Sequence, residues 1–283
     1  MQLSDLLLAI VFISQILIGL LGNFFLLCIY ICTFFNGHKL RPIDHIFVNL
    51  TLANVKVLLS RGLLQIMFYC GLKNFLKPIE CKLAHYLQNM SRSVSLSTTC
   101  LLSAFQVITI SPSNSWWSKL KAQAPKYIVP SSVFCWCFYL LIYFTMFGIM
   151  HNLRFMSNHT RWWHLGYCSI AAPVSFNASF YVIVFSLPDV ICIGFMIWAS
   201  GYLIFILHRH HQQVQHIHSP HLSPRTFPEI KATHACLLLV CTYVSFFSID
   251  SILTFFTFKF GNYDSFLLPT AHFMAACFPA VTP

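Results

Sequence analysis

The chain has 283 residues, 57% hydrophobic and only 8% charged, where a soluble globular domain carries about 25% charged residues. That balance excludes one large soluble core, because too little polar surface exists to cover it, and it defines a polytopic membrane protein. The formal charge of +10, from 17 basic and 7 acidic residues, does not argue for nucleic acid: most basic residues fall between apolar runs, where membrane lipid headgroups or a cytoplasmic partner account for them.

Span one is read as Leu6–Cys32, with no Asp, Glu, Lys or Arg in it. The opening MQLSDLLLAI has neither a basic n-region nor a small-residue cleavage site, so the run reads as an uncleaved first span. Gly19 and Gly22 permit close helix approach, and the Asn23 amide seeks a partner across a helix interface. Asn36-Gly37 and Pro42 mark a turn. Span two is Ile46–Phe68. It contains Asn49, Asn54 and Lys56, and Lys56 has no account beyond snorkelling or pairing inside the bundle. Arg61 lies farther along, towards the opposite side from Lys39 and Arg41.

Span three, Leu83–Ile110, is the central helix. The stretch Leu83–Pro112, if helical throughout, is roughly 45 Å long, enough to cross a ~30 Å hydrocarbon core with turns to spare. It carries Arg92, and a charge on such a helix faces protein or a water-filled cavity, so other helices must surround it. A basic, turn-rich loop, SPSNSWWSKLKAQAPKY, is expected next. Span four is Ile128–Met150. A polar segment follows, with the sequon Asn158-His-Thr, usable for glycosylation if lumenal. Span five is Phe180–Leu207, interrupted by Pro188-Asp189. Residues 208–234 read as a histidine-rich, proline-punctuated inner loop. Span six is Ala235–Phe258 with Asp250 in its outer half, and span seven is Ser265–Pro283. The whole is one all-α membrane domain, a seven-transmembrane-helix bundle. With the N-terminus outside, basic residues are in slight excess on the inner side.

Twelve cysteines mostly lie inside apolar spans, as Cys28, Cys100, Cys137, Cys192 and Cys241 do, and read as small buried hydrophobes. Cys81 and Cys168 both fall in outer segments. They are either a disulfide pinning the loop over the central helix or two unrelated cysteines. On the central helix His85, Gln88 and Arg92 recur at i, i+3 and i+7 with Asn89 beside them, which places them on one face. Asp189 and Asp250 stand at comparable depth, and either can neutralise Arg92. Two readings stay open: polar anchors in an apolar ligand pocket, or a structural charge pair between helices. The histidines of the inner loop lack carboxylate or cysteine partners, so no metal or cofactor is expected. No H-E-x-x-H, G-x-S-x-G or GxGxxG occurs, and no enzyme is read here.

The chain resembles the mammalian vomeronasal type-1 receptors, seven-helix G-protein-coupled pheromone receptors. The likeness is carried by GLLGNFFLLCIY on span one and RPIDHIFVNLTLAN leading into span two. LSTTCLLSAFQVITISP lies on the central helix, LHRHHQQVQHIHSPHLSPR follows span five, and AACFPAVTP lies on span seven. The resemblance implies a Cys81–Cys168 disulfide, glycosylation at Asn158 and small, often volatile, organic ligands. It also implies coupling to an inhibitory-class heterotrimeric G protein. The surface for that partner is the inner end of helix three, with Thr109 and Ser111, and the segment holding His208, Arg209, His210 and His211. It further implies a place in the cell membrane of vomeronasal sensory neurons. Departures are Ser93, Lys56 and Asp250, together with family members continuing past the equivalent of Pro283. The expectation is a truncated product, so the alternatives are a non-signalling receptor retained in the endoplasmic reticulum and, behind it, a small-solute transporter or channel.

Overall fold

The computed structural model describes residues 3–37, 39, 41–72, 75–112, 115–156, 160–164, 169–173, 178–217, 237–238, 240–253 and 267–281. Helix α1 is Leu3–Phe35, and it ends where Asn36 and Gly37 turn the chain, with Gly37 at φ 76°. A left-handed conformation there is cheap only for glycine. Helix α2, Pro42–Val57, passes through a π segment, Leu58–Gly62, into α3, Leu63–Tyr69. These three form one crossing, Pro42–Tyr69. Helix α4 is Pro78–Ile110.

Helices α2 and α4 begin with the same device. Each has proline at its first position, where a missing N–H is harmless, and an acid three residues past the cap. Asp44 Oδ2 accepts from the Arg41 backbone N–H at 2.7 Å, and Glu80 Oε2 accepts from that of Lys77 at 2.9 Å. A carboxylate at this position also complements the positive end of the helix dipole.

Helix α5 runs Ser115–Met156, a hairpin pairs β1, Thr160–His164, with β2, Ser169–Pro173, and α6 runs Ala178–Ile217. The last two helices are α7, Val240–Leu253, and α8, Leu267–Val281. Five crossings among the described residues are long and apolar enough to span a membrane, and α7 is a shorter apolar helix. Among the described residues the fold is an all-α, multi-pass bundle of seven helices, counting α2 and α3 as one.

Three segments differ from the sequence reading. The expected basic loop before span four is helical from Ser115, so Lys119, Lys121 and Lys126 lie on α5. Alanine, leucine, lysine and glutamine there are strong helix formers, and Pro125 and Pro130, read as turn signals, lie inside the helix. The histidine-rich inner loop also begins later than expected. His208, Arg209, His210 and His211 belong to α6, because no breaker occurs before Ser219-Pro220. The polar segment after span four contains the β1–β2 hairpin, with Trp162 opposite Ala171, and β2 packs against α4 and α5. Asn158 and Cys168 lie outside the described residues.

Helix α4 is the hub. It packs against α2, α5 and α6, and Leu96 joins Leu50, Met196, Val240, Tyr243 and Phe278 in one buried cluster that draws on α2, α6, α7 and α8. Its buried face is rich in small hydroxyl residues, Ser91 through Ser103. Small residues let helices approach closely, and their hydroxyls supply hydrogen bonds that hydrocarbon cannot. Ser95 donates to Asn54 Oδ1 and Ser97 to Tyr139 Oη, both at 2.9 Å, while Thr98, Thr99 and Ser103 bond back to carbonyls one turn earlier. Helix α8 is fastened to α1 by Asn23, which donates to the Pro279 carbonyl at 2.9 Å, and by Gln15, which donates to the Phe273 carbonyl at 3.1 Å. Large apolar side chains such as Leu21 and Phe25 face outward, as a lipid solvent requires.

Candidate ligand cavity

Arg92 on α4 reaches α7. Its Nη2 stands 3.2 Å from Asp250 Oδ2 and donates to Ser251 Oγ at 3.1 Å. The guanidinium lies 4.3 Å from the centroid of the Phe247 ring, a favourable placement of a cation over a negative ring face. Arg61 brings a second cation, with Nη1 4.0 Å from Asp250 Oδ1. One buried carboxylate is therefore shared by two guanidinium groups from two helical crossings. A pair taken out of water holds only with good geometry and further hydrogen bonds; Ser251 supplies one hydrogen bond to Arg92, and Phe247 adds a cation–π contact.

The π segment places Arg61. A π turn is wider than an α turn and shifts the backbone register locally. Gln88 Nε2 donates to the Ser60 carbonyl at 3.1 Å, tying the segment to α4. Gly62 presses on the side chain of Ile16 of α1, where a Cβ would collide.

A cavity opens beside this cluster. It is lined by Arg92 and Ser95 of α4, by Tyr243, Phe246, Phe247 and Asp250 of α7, and by Met274 and Phe278 of α8. Tyr243 meets Phe278 edge to face at 4.0 Å between centroids. The wall is apolar and aromatic with one ion pair, but the cavity holds only about 30 Å³, room for about one water molecule and far below the roughly 300–1,000 Å³ of a drug-sized site.

The six expected ligand-binding residues fall into three groups. Arg92 and Asp250 line the cavity. Asp189 is buried on α6 and accepts from Ser93 at 3.3 Å, while the Ser93 and Tyr143 hydroxyls share a hydrogen bond of 2.9 Å. Of the two acids expected to neutralise Arg92, Asp250 makes the close ion pair, and Asp189 belongs to an adjoining hydroxyl network. His85, Gln88 and Asn89 lie outside the cavity wall. Asn89 Nδ2 is 2.9 Å from His85 Nε2 and 3.0 Å from the His85 carbonyl. Sequence reasoning placed Arg61 without assigning it a role and missed the aromatic wall. The spacing Tyr243, Phe247, Asp250 on α7, at i, i+4 and i+7, carried that signal.

At the C-terminal ends of α4 and α6, Thr109, His208 and Arg209 are exposed. Ser111 is buried rather than outward-facing, and its hydroxyl lies 2.6 Å from the Val107 carbonyl and 3.3 Å from Tyr202 Oη. Trp117 and Trp198 both stack on Tyr202, so α4, α5 and α6 are tied together there. Cys81 is fully buried in the first turn of α4.

Six helical elements around a central hydroxyl-rich helix, with a small charged and aromatic cavity between α4, α7 and α8, define a membrane receptor of the G-protein-coupled type. The chain belongs to the vomeronasal organ pheromone receptor family, whose pattern matches residues 7–283. It is 40% identical over 272 residues to human (Homo sapiens) vomeronasal type-1 receptor 1, covering 96% of this chain and 77% of that one. Against vomeronasal type-1 receptor 4 of Pongo pygmaeus the identity is 40% over 271 residues, covering 96% and 90%. Against human vomeronasal type-1 receptor 3 it is 40% over 284 residues, covering 100% and 91%. The protein is accordingly a non-enzymatic receptor that partners a heterotrimeric G protein.

Proposed function

We propose that the space between α4, α7 and α8, about 30 Å³ in this arrangement, widens as these helices part and then binds a small, volatile organic ligand of pheromone type, with Arg92 and Asp250 as its polar anchors. The observation that carries this reading is the Arg92–Asp250 pair, 3.2 Å apart, standing in an aromatic-walled cavity. A ligand that contacts both α4 and α7 favours one arrangement of these helices over another, and only such differential contact can shift the equilibrium. The inner ends of α4 and α6 then present a changed surface. Thr109, His208, Arg209, His210 and His211 are the contact residues for an inhibitory-class G protein, and Ser111 braces α4 against Tyr202. Gln88, Asn89, His85 and Asp189 act behind the cavity wall by holding α4 in register.

The N-terminus is outside, the β1–β2 hairpin roofs the outer end, a Cys81–Cys168 disulfide pins that roof, and Asn158 carries a glycan. The receptor works in the membrane of vomeronasal sensory neurons. Support comes from family membership and from β2 packing against α4.

Phe247→Ala tests the site. It removes the ring under Arg92 and opens the wall, so a ligand's half-maximal concentration is expected to rise by about tenfold or more, a loss of ~1.4 kcal/mol, at unchanged surface amount. The check is inhibition of cyclic AMP in cells, normalised to surface receptor. An unshifted curve places the ligand elsewhere.

A further inference from the structure

Among the described residues Arg61 and Arg92 are both paired with the buried carboxylate of Asp250, and Asp189 is buried beside Ser93. Lys56 stands outside these contacts. It lies at the middle of the 28-residue crossing Pro42–Tyr69, and it is exposed. Its Nζ lies 4.7 Å from the centroid of the Trp136 ring on α5. At this position it is about 20 Å along the axis from either end of the crossing, beyond the reach of a lysine stem to a headgroup. A ring face offsets only part of the penalty of an ammonium in hydrocarbon.

The surroundings of Lys56 have the form of a helix seat. Leu52, Lys56, Leu59 and Leu63 follow at spacings of four, three and four, and the three leucines are exposed. On α5, Val133 and Leu140 flank Trp136 and are also exposed. The two stripes meet where Lys56 touches Trp136. A seam of this spacing accepts another helix, and a single polar residue in it fixes register and partner.

We propose that the lipid-facing groove between α2 and α5 docks a transmembrane helix of a separate membrane protein that carries an aspartate or glutamate near its middle. Charge complementarity selects that occupant, since a carboxylate at matching depth neutralises Lys56 where water cannot. The described residues of a second copy of this chain do not supply it. Among the described residues its carboxylates are either buried, as Asp189 and Asp250 are, or sit near helix ends, as Asp5, Asp44 and Glu80 do.

The test uses the full chain in cells with single-span leucine–alanine probe helices bearing a central Asp, Asn or Leu, read by energy transfer between tags on receptor and probe. The Asp probe is expected to give at least threefold more transfer than the Leu probe. Lys56→Leu and, as a second variant of retained polarity, Lys56→Gln should abolish the difference, and Lys56→Asp should restore transfer to a probe with a central Lys. Equal transfer to Asp and Leu probes overturns the proposal. So does Asp-probe transfer that survives Lys56→Leu, or a Lys56 effect confined to transfer between two receptor copies or to anionic-lipid content.

Discussion

Asp250→Asn is expected to destabilise the bundle by about 3–5 kcal/mol, the usual penalty for removing one partner of a buried ion pair. Asp250 is 1% exposed and faces Arg92 at 3.2 Å and Arg61 at 4.0 Å. Its neutralisation leaves two guanidinium groups without their carboxylate. The expected readouts are a drop of tenfold or more in surface receptor and a lower thermal midpoint in detergent. Adding Arg92→Gln removes one of the stranded cations and should recover part of the loss, with the remainder belonging to Arg61. If Asp250→Asn alone reaches the surface at the level of the unaltered chain with the same midpoint, the ion cluster contributes nothing to the fold.

The second large effect is expected at Gly19. A Cβ there meets Leu58 Cδ1 at 2.8 Å and the Ala280 Cα at 2.9 Å, and the Ala280 backbone cannot rotate aside as a flexible side chain could. Gly19→Leu therefore drives α8 away from α1 and strains the hydrogen bond from Asn23 to the Pro279 carbonyl. Overpacking of this kind costs about 1–3 kcal/mol, and losing the buried hydrogen bond adds about 1 kcal/mol. Because α8 also carries Met274 and Phe278 of the cavity wall, whatever receptor does fold should respond weakly. Gly201→Ala is the control. Nothing lies near its added Cβ, and alanine is the better helix former by ~1 kcal/mol, so its stability should hold or rise.

The sequence made the bundle legible because five crossings are apolar stretches long enough to span a bilayer, and the shorter apolar runs of α7 and α8 follow them at similar spacing. The central helix was recognisable from Arg92, since a charge at that depth demands neighbours. Helix ends were harder to read. Polar, helix-forming residues extend α5 and α6 past the hydrocarbon limits, and hydropathy detects the membrane rather than the helix. The cavity was half legible. Arg92 and Asp250 stood out as intramembrane charges, but sequence spacing does not say which acid an arginine meets. That choice is set by how α4 faces α7, and it gave Asp189 to Ser93 instead. Arg61 joined the cluster through a π turn, which no periodicity of apolar residues announces. Lys56, unaccounted for in the sequence, proved to lie on Trp136 at the outer surface.

The most direct test of the account is ligand protection inside the cavity. A cysteine replaces Met274 on α8, and a second variant replaces the lipid-facing Leu140 as control. Labelling by a small thiol reagent is then followed with and without an agonist drawn from a pheromone panel. The account predicts that agonist slows labelling at position 274 by about tenfold, as expected for occupancy well above the dissociation constant, and leaves position 140 unchanged. Full response to the agonist with no protection at position 274 contradicts it, because the ligand then acts without entering the space between α4, α7 and α8.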